Sequence, residues 1–173
     1  LGNSYPFEST SFDRDLSLQH AGDLNGDGYG DAIMRRGATL SVYLGGPSGI
    51  STESSQELST AVDDSGFRAS RASVVRGLGD FDGDGYADLV AGYPAPTAPF
   101  LTSFVQVFLG GPDGVSVSRI RVSVTGEWGI PGFGSYIISG LDLNQDALAD
   151  FAVRRDGGWG DDFVYGGAGA DTL

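Results

Sequence analysis

Asp80-Phe-Asp-Gly-Asp-Gly-Tyr-Ala-Asp88 places four carboxylates at positions 1, 3, 5 and 9 of a nine-residue stretch, with Gly85 at position 6. A hard cation such as Ca²⁺ takes about six to eight oxygen ligands at about 2.3–2.6 Å, and a loop with this spacing wraps them around one point. Asp80, Asp82, Asp84 and Asp88 offer side-chain oxygens, and the backbone carbonyl of Tyr86 fits position 7. Gly85 stands where the chain must turn sharply, and glycine takes a positive φ without a Cβ clash. Without a cation, four neighbouring carboxylates repel one another.

The same loop occurs twice more. Asp23-Leu-Asn-Gly-Asp-Gly-Tyr-Gly-Asp31 offers Asp23, Asn25, Asp27, the Tyr29 carbonyl and Asp31. Asp142-Leu-Asn-Gln-Asp-Ala-Leu-Ala-Asp150 offers Asp142, Asn144, Asp146, the Leu148 carbonyl and Asp150, with Ala147 in place of the turn glycine. The expectation is two to three Ca²⁺ ions, with the third loop the poorest site. Fully protein-ligated Ca²⁺ leaves little room for substrate, so the ion is read as a structural staple.

Outside the loops the chain repeats as well. Leu16 and Leu18 alternate with polar neighbours before the first loop, and Asp31-Ala-Ile-Met34 and Thr39-Leu-Ser-Val-Tyr-Leu44 read as strands after it. Gly45-Gly-Pro-Ser-Gly49 closes that strand, and Ile50 to Leu58 is expected as an outer strand. Val74-Val75, Asp88 to Tyr93, Phe104 to Leu109, Gly110-Gly-Pro-Asp-Gly114 and the outer strand Val115 to Val124 follow the same plan. The third copy runs from Phe133 through Ile137-Ile138 and Asp150-Phe-Ala-Val153 to Phe163-Val-Tyr165.

The loops start at 23, 80 and 142, a spacing of 57 and then 62 residues. A period of this size with about four short strands each is the sequence sign of propeller blades. The fold expected is all-β, one propeller-type domain over residues 1–173, with antiparallel repeats at approximately 12–58, 67–124 and 133–173. Three blades leave two apolar faces open, so the propeller is either part of a longer one or completed by self-association.

Composition agrees with this class. The 173 residues include 29 Gly and no Cys, so the chain is rich in turns and carries neither a disulfide framework nor thiol chemistry. All ten basic residues are Arg, against 23 acidic ones, for a net charge of −13. Ten of the acidic residues lie in the three loops, and three Ca²⁺ ions would leave about −7. Nucleic acid needs a basic face and is not an expected partner. No apolar run is long enough to cross a membrane as a helix. Weak multi-carboxylate Ca²⁺ loops suit the millimolar ion outside the cell, pointing to a secreted or surface-bound bacterial protein. The start at Leu1, without Met or signal sequence, reads as a processed or trimmed piece of something longer.

The order Phe-(Gly), then Asp-x-Asn/Asp-x-Asp-Gly-x-x-Asp, then Val-Tyr/Phe-Leu-Gly-Gly-Pro-x-Gly resembles the FG-GAP repeat of integrin α-subunits and their bacterial relatives, in three copies over nearly the whole chain. The resemblance implies a β-propeller with Ca²⁺ loops on one rim. It carries the ligand role onto Asp23, Asn25, Asp27 and Asp31, onto Asp80, Asp82, Asp84 and Asp88, and onto Asp142, Asn144, Asp146 and Asp150. Only Phe133-Gly134 keeps the Phe-Gly pair; Phe12-Asp13 and Phe67-Arg68 depart from it. Residues 157–173 also fit two registers of the calcium-binding nonapeptide of a parallel β-roll, with Asp162 and Asp171 as ligands, although two nonapeptides are too few to bury a roll's core.

The function expected is a non-catalytic, calcium-binding module for extracellular adhesion or ligand recognition, with a protein or glycan partner. The connection Ala91–Leu101 is the expected partner surface. A single His, His20, and the lack of Cys and Lys leave no thiol nucleophile, Schiff base or His-based metal site. Two competing classes are a carbohydrate-binding lectin, with Trp128, Trp159 or Tyr stacking on sugars, and the accessory domain of a secreted hydrolase or lyase, such as the phospholipase that cleaves glycosylphosphatidylinositol anchors. Glu8, Glu53, Glu57 and Glu127 lie outside the loops, and no spacing places two of them together.

Overall fold

A computed structural model describes residues 16–62, 70–94, 103–116, 119–123, 133–154 and 163–165. The described chain is all β and forms three antiparallel blades. Blade 1 is a sheet of β1 (Leu16–Gly22), β2 (Asp31–Arg36), β3 (Thr39–Tyr43) and β4 (Gln56–Ser59), in sequence order. A two-stranded pair, β5 (Ala61–Val62) with β6 (Ser70–Arg71), follows it; the repeat pattern did not anticipate this pair. Blade 2 holds β7 (Val74–Gly79), β8 (Asp88–Tyr93), β9 (Phe104–Phe108) and β10 (Arg119–Ser123) in the same neighbour-to-neighbour order. Blade 3 holds β11 (Tyr136–Leu141), β12 (Asp150–Arg154) and β13 (Phe163–Tyr165).

Each acidic loop joins the first two strands of a blade, and each first strand ends in a bulge at the same place. The register slips between His20 and Gly22, between Gly77 and Gly79, and between Ser139 and Leu141. The inserted residue re-aims the chain into the loop. In blades 1 and 2 it is also core, because Ala21 and Leu78 are fully buried.

The apolar core lies between the blades. One cluster joins Ile33, Leu40 and Val42 of blade 1 to Val75, Leu89, Ala91, Tyr93, Phe104 and Phe108 of blade 2. A second joins Leu78, Val90, Val105 and Val107 of blade 2 to Ile137, Phe151 and Val153 of blade 3. Blade 2 is therefore covered on both faces, which is why its two middle strands are buried throughout and mostly apolar instead of alternating. Fully burying a side chain of this size contributes about 1.5–3 kcal/mol, so each joint is a substantial source of stability. Polar groups bridge both joints as well. The Gln56 amide donates from Nε2 to the Val115 carbonyl and accepts the Val115 N–H at Oε1, at 2.8 and 2.9 Å, like an extra strand pairing.

The Phe133-Gly134 pair also acts across a joint. Phe133 is fully buried in the second cluster. A Cβ on Gly92 would lie 1.9 Å from the Gly134 carbonyl, so the turn sits directly on the backbone of β8.

Several expectations change. The outer strand expected over Ile50–Leu58 is confined to Gln56–Ser59, because the preceding turn spends its amides on Gly46, Leu44 and Val42. That expected over Val115–Val124 is Arg119–Ser123. Ala91 to Tyr93 belong to buried strand β8 and are not part of a surface connection; residues 95–102 lie outside the described residues. The strand Phe163–Tyr165 pairs antiparallel with β12, as a blade strand does and a parallel roll does not. The flanking nonapeptide glycines, Asp162, Asp171, Phe12, Phe67, Trp128, Trp159, Glu8 and Glu127 all lie outside the described residues.

Candidate metal centre

The three loops share one hydrogen-bond plan. The position-1 carboxylate is a hub. Asp23 accepts the amides of Gly26 (2.8 Å), Asp27 (3.1 Å) and Gly28 (2.8 Å). Asp80 accepts those of Gly83, Asp84 and Gly85 at 2.7, 3.1 and 3.0 Å, and Asp142 those of Asp146 and Ala147 at 3.1 and 3.2 Å. The position-5 carboxylates of Asp27, Asp84 and Asp146 accept the position-7 amides of Tyr29, Tyr86 and Leu148 at 2.8–3.0 Å.

This winding needs left-handed backbone at two places, not one. Gly26 and Gly83 at position 4 have φ of 73° and 81°, and Gly28 and Gly85 at position 6 have 87° and 91°. In the third loop Gln145 and Ala147 take φ of 63° and 71°, and they alone among the described non-glycine residues do so. The strain at Ala147 was expected from the sequence. The strain at Gln145 was missed, although Gly26 and Gly83 signalled it.

Position 9 is a strut between loop and sheet. Asp31, Asp88 and Asp150 are at most 1% exposed. Asp31 accepts the Leu24 amide at Oδ2 and the Gly45 amide at Oδ1, and Asp88 accepts those of Phe81 and Gly110 at 2.7 and 2.8 Å. Asp150 accepts the Leu143 amide in the same way. In blades 1 and 2 these bonds tie the first residues of the loop to the turn after the third strand.

The loops differ at position 3. Asn25 and Asn144 each donate their side-chain amide to the neighbouring position-5 carboxylate, at 3.1 and 2.9 Å. Asp82 has no proton to give Asp84. Burial first, and then the Asp84 and Asp80 charges, push the Asp82 carboxyl above its ordinary range. Burial also pushes Asp88 up to about 6, against the two backbone amides that hold it down. One carboxylate oxygen each from Asp80, Asp82 and Asp88 lies within 4.8 Å of the other two. No other three acidic, His or Cys side chains converge in this way among the described residues.

Hard, crowded, partly desolvated oxygen donors fit a divalent cation, and a doubly charged ion would relieve the repulsion in loop 2. Asp80, Asp82 and Asp88 are brought together; Asp84 and the members of the other two loops fall outside this tightest set. Those two loops each substitute an Asn for a carboxylate, which lowers their charge.

Known proteins share the pattern. The FG-GAP-like repeat family matches residues 23–91, and the FG-GAP repeat matches residues 77–109. The chain is similar to integrin alpha-4 of Xenopus laevis, 30% identical over 144 residues that make up 77% of this chain and 13% of that protein. It is also similar to integrin alpha-8 of Gallus gallus, 34% identical over 84 residues, 44% of this chain and 8% of that protein. It thus spans a small part of the length of these relatives. Repeated loops, antiparallel blades and both comparisons agree: the chain is an FG-GAP-repeat protein built of integrin-like β-propeller blades.

Proposed function

We propose that the chain is a calcium-binding, non-catalytic propeller module that serves adhesion or ligand recognition outside the cell. The ion acts as a staple in each loop, with Asp, Asn and position-7 carbonyl oxygens as ligands: residues 23, 25, 27, 29 and 31; 80, 82, 84, 86 and 88; and 142, 144, 146, 148 and 150. The convergence of Asp80, Asp82 and Asp88 carries this reading, because carboxylates so placed are unstable without a counter-charge. Likeness to integrin α chains supports the adhesive role. A sequence with one His and neither Cys nor Lys supports a non-catalytic one.

Calcium titration calorimetry with thermal unfolding tests the reading. Two to three ions should bind, and Tm should fall on chelation. A chain that binds no Ca²⁺ and melts alike in chelator would sink it. A glycan array in Ca²⁺ then separates sugar from protein recognition; binding to sugars would favour the lectin reading.

A further inference from the structure

Loops 1 and 2 wind alike but differ at position 3. Asn25 in one and Asp82 in the other each accept the amide of the position-5 residue at 3.3 Å. Asn25 also donates from its side-chain amide to Asp27 at 3.1 Å. Asp82 instead brings a carboxylate oxygen within 4.8 Å of those of Asp80 and Asp88. The same winding therefore accommodates an amide or a carboxylate at position 3.

Of the three Asn in the chain, Asn25 alone is followed by Gly; Asn3 precedes Ser4 and Asn144 precedes Gln145. Such a pair carries its own chemistry. A glycine nitrogen has no side chain beside it to hinder its approach to the preceding side-chain amide. Once the Gly26 N–H has lost its proton to hydroxide, the nitrogen bonds to the Asn25 Cγ. The bond from Cγ to Nδ2 breaks, and ammonia leaves with a proton from water. The cyclic imide then adds water at either carbonyl, giving aspartate or isoaspartate. One water enters, one ammonia leaves, and nothing is oxidised or reduced.

The fold governs when this happens. Asn25 is half-buried and Gly26 exposed, so water and hydroxide reach the pair. Asp23 nevertheless holds the Gly26 amide at 2.8 Å, and Asp27 holds both ends of the Asn25 side-chain amide. The Asn25 side chain must leave Asp27 before its Cγ can meet the nitrogen. In an empty loop only these hydrogen bonds resist, each worth about 1 kcal/mol. A cation held by Asp23 and the Asn25 Oδ1 would pin both residues.

We propose that Asn25-Gly26 is a self-modification site: the empty loop 1 converts Asn25 to aspartate and so acquires the four-carboxylate set of loop 2. The added charge raises the loop's affinity for a divalent cation. The isoaspartate product lengthens the main chain between positions 3 and 4 and breaks the winding. The gain in affinity rests on the calcium reading; the conversion itself does not.

The test keeps the full chain in mildly alkaline buffer, with chelator or with Ca²⁺, and follows its tryptic peptides by mass. Asn25 and Asn144 fall in separate peptides, residues 15–35 and 122–154. In chelator the first should gain the mass of an acid replacing an amide, several-fold faster than in Ca²⁺, while the second stays unchanged. An unchanged first peptide in chelator, or equal conversion of both, would overturn the proposal. Calorimetry compares the wild type with Asn25→Asp, in which one site should bind Ca²⁺ roughly tenfold more tightly. Unchanged affinity at an occupied loop 1 would overturn the gain of charge as the consequence. If neither protein binds Ca²⁺, the metal reading fails, and conversion in chelator still decides the modification.

Discussion

The Ala149 amide donates to the Asp80 carbonyl across 2.7 Å, so the first residue of one acidic loop holds the last turn of the next. The Asp80 side chain meanwhile collects three amides of its own loop. A single residue thus organises its loop through its carboxylate and the following blade through its backbone.

Asp80→Ala strands three donors at once. At about 1 kcal/mol for each bond, the loss should be roughly 2–4 kcal/mol. The effect should also cross the joint. Amide exchange at Ala149 should speed up although its own acceptor, a backbone carbonyl, is still present. Unchanged protection at Ala149 would show that the loops do not communicate.

Asp82→Asn should separate apo stability from metal affinity. The new amide can donate to Asp84, as Asn25 does to Asp27, and it removes one charge from a crowded loop. In chelator the variant should be more stable by about 0.5–1.5 kcal/mol. In Ca²⁺ that gain should shrink or reverse, because a charged ligand is gone. Urea unfolding in both conditions checks this; a variant less stable in chelator would contradict the repulsion argument.

Backbone strain should be transferable between loops. Ala147→Gly and Gln145→Gly relieve left-handed non-glycine residues and should each stabilise by roughly 1 kcal/mol. Gly85→Ala is the mirror experiment. Its Cβ would meet nothing within 4 Å, so any loss, about 1–2 kcal/mol, is conformational strain alone. Equal stability for Gly85→Ala and wild type would remove the case for strain in the third loop.

Gly92→Ala should be far worse than Gly85→Ala, although both delete a glycine. At Gly92 the methyl group would overlap the Gly134 carbonyl of the neighbouring blade, and backbone cannot yield as a side-chain tip can. A loss of roughly 3 kcal/mol or more is expected, with weakened contact between blades 2 and 3. A mild variant, with a small change in Tm, would mean that the two backbones can part at this point without loss.

Much of the site was legible because it is local. Carboxylates at positions 1, 3, 5 and 9 of nine residues can meet only by winding the loop, so spacing alone singled out the candidate donors and the turn at Gly85. The repeat at 57 and 62 residues likewise revealed the blades, since each must bury its faces on a similar neighbour. The sequence did not show which carboxylates crowd together and which brace the fold. Asp88 reads as one more ligand, yet in the fold both its oxygens also anchor backbone amides, one of them 22 residues away. Gly26 reads as loop filler until Tyr86 of the next blade is seen lying against it. Composition and spacing alone determined an all-β chain of repeated acidic loops, because those features depend on residues within a few positions of one another. Only the tertiary structure decided how the loops are chained and where strain collects, because those depend on contacts between blades some sixty residues apart.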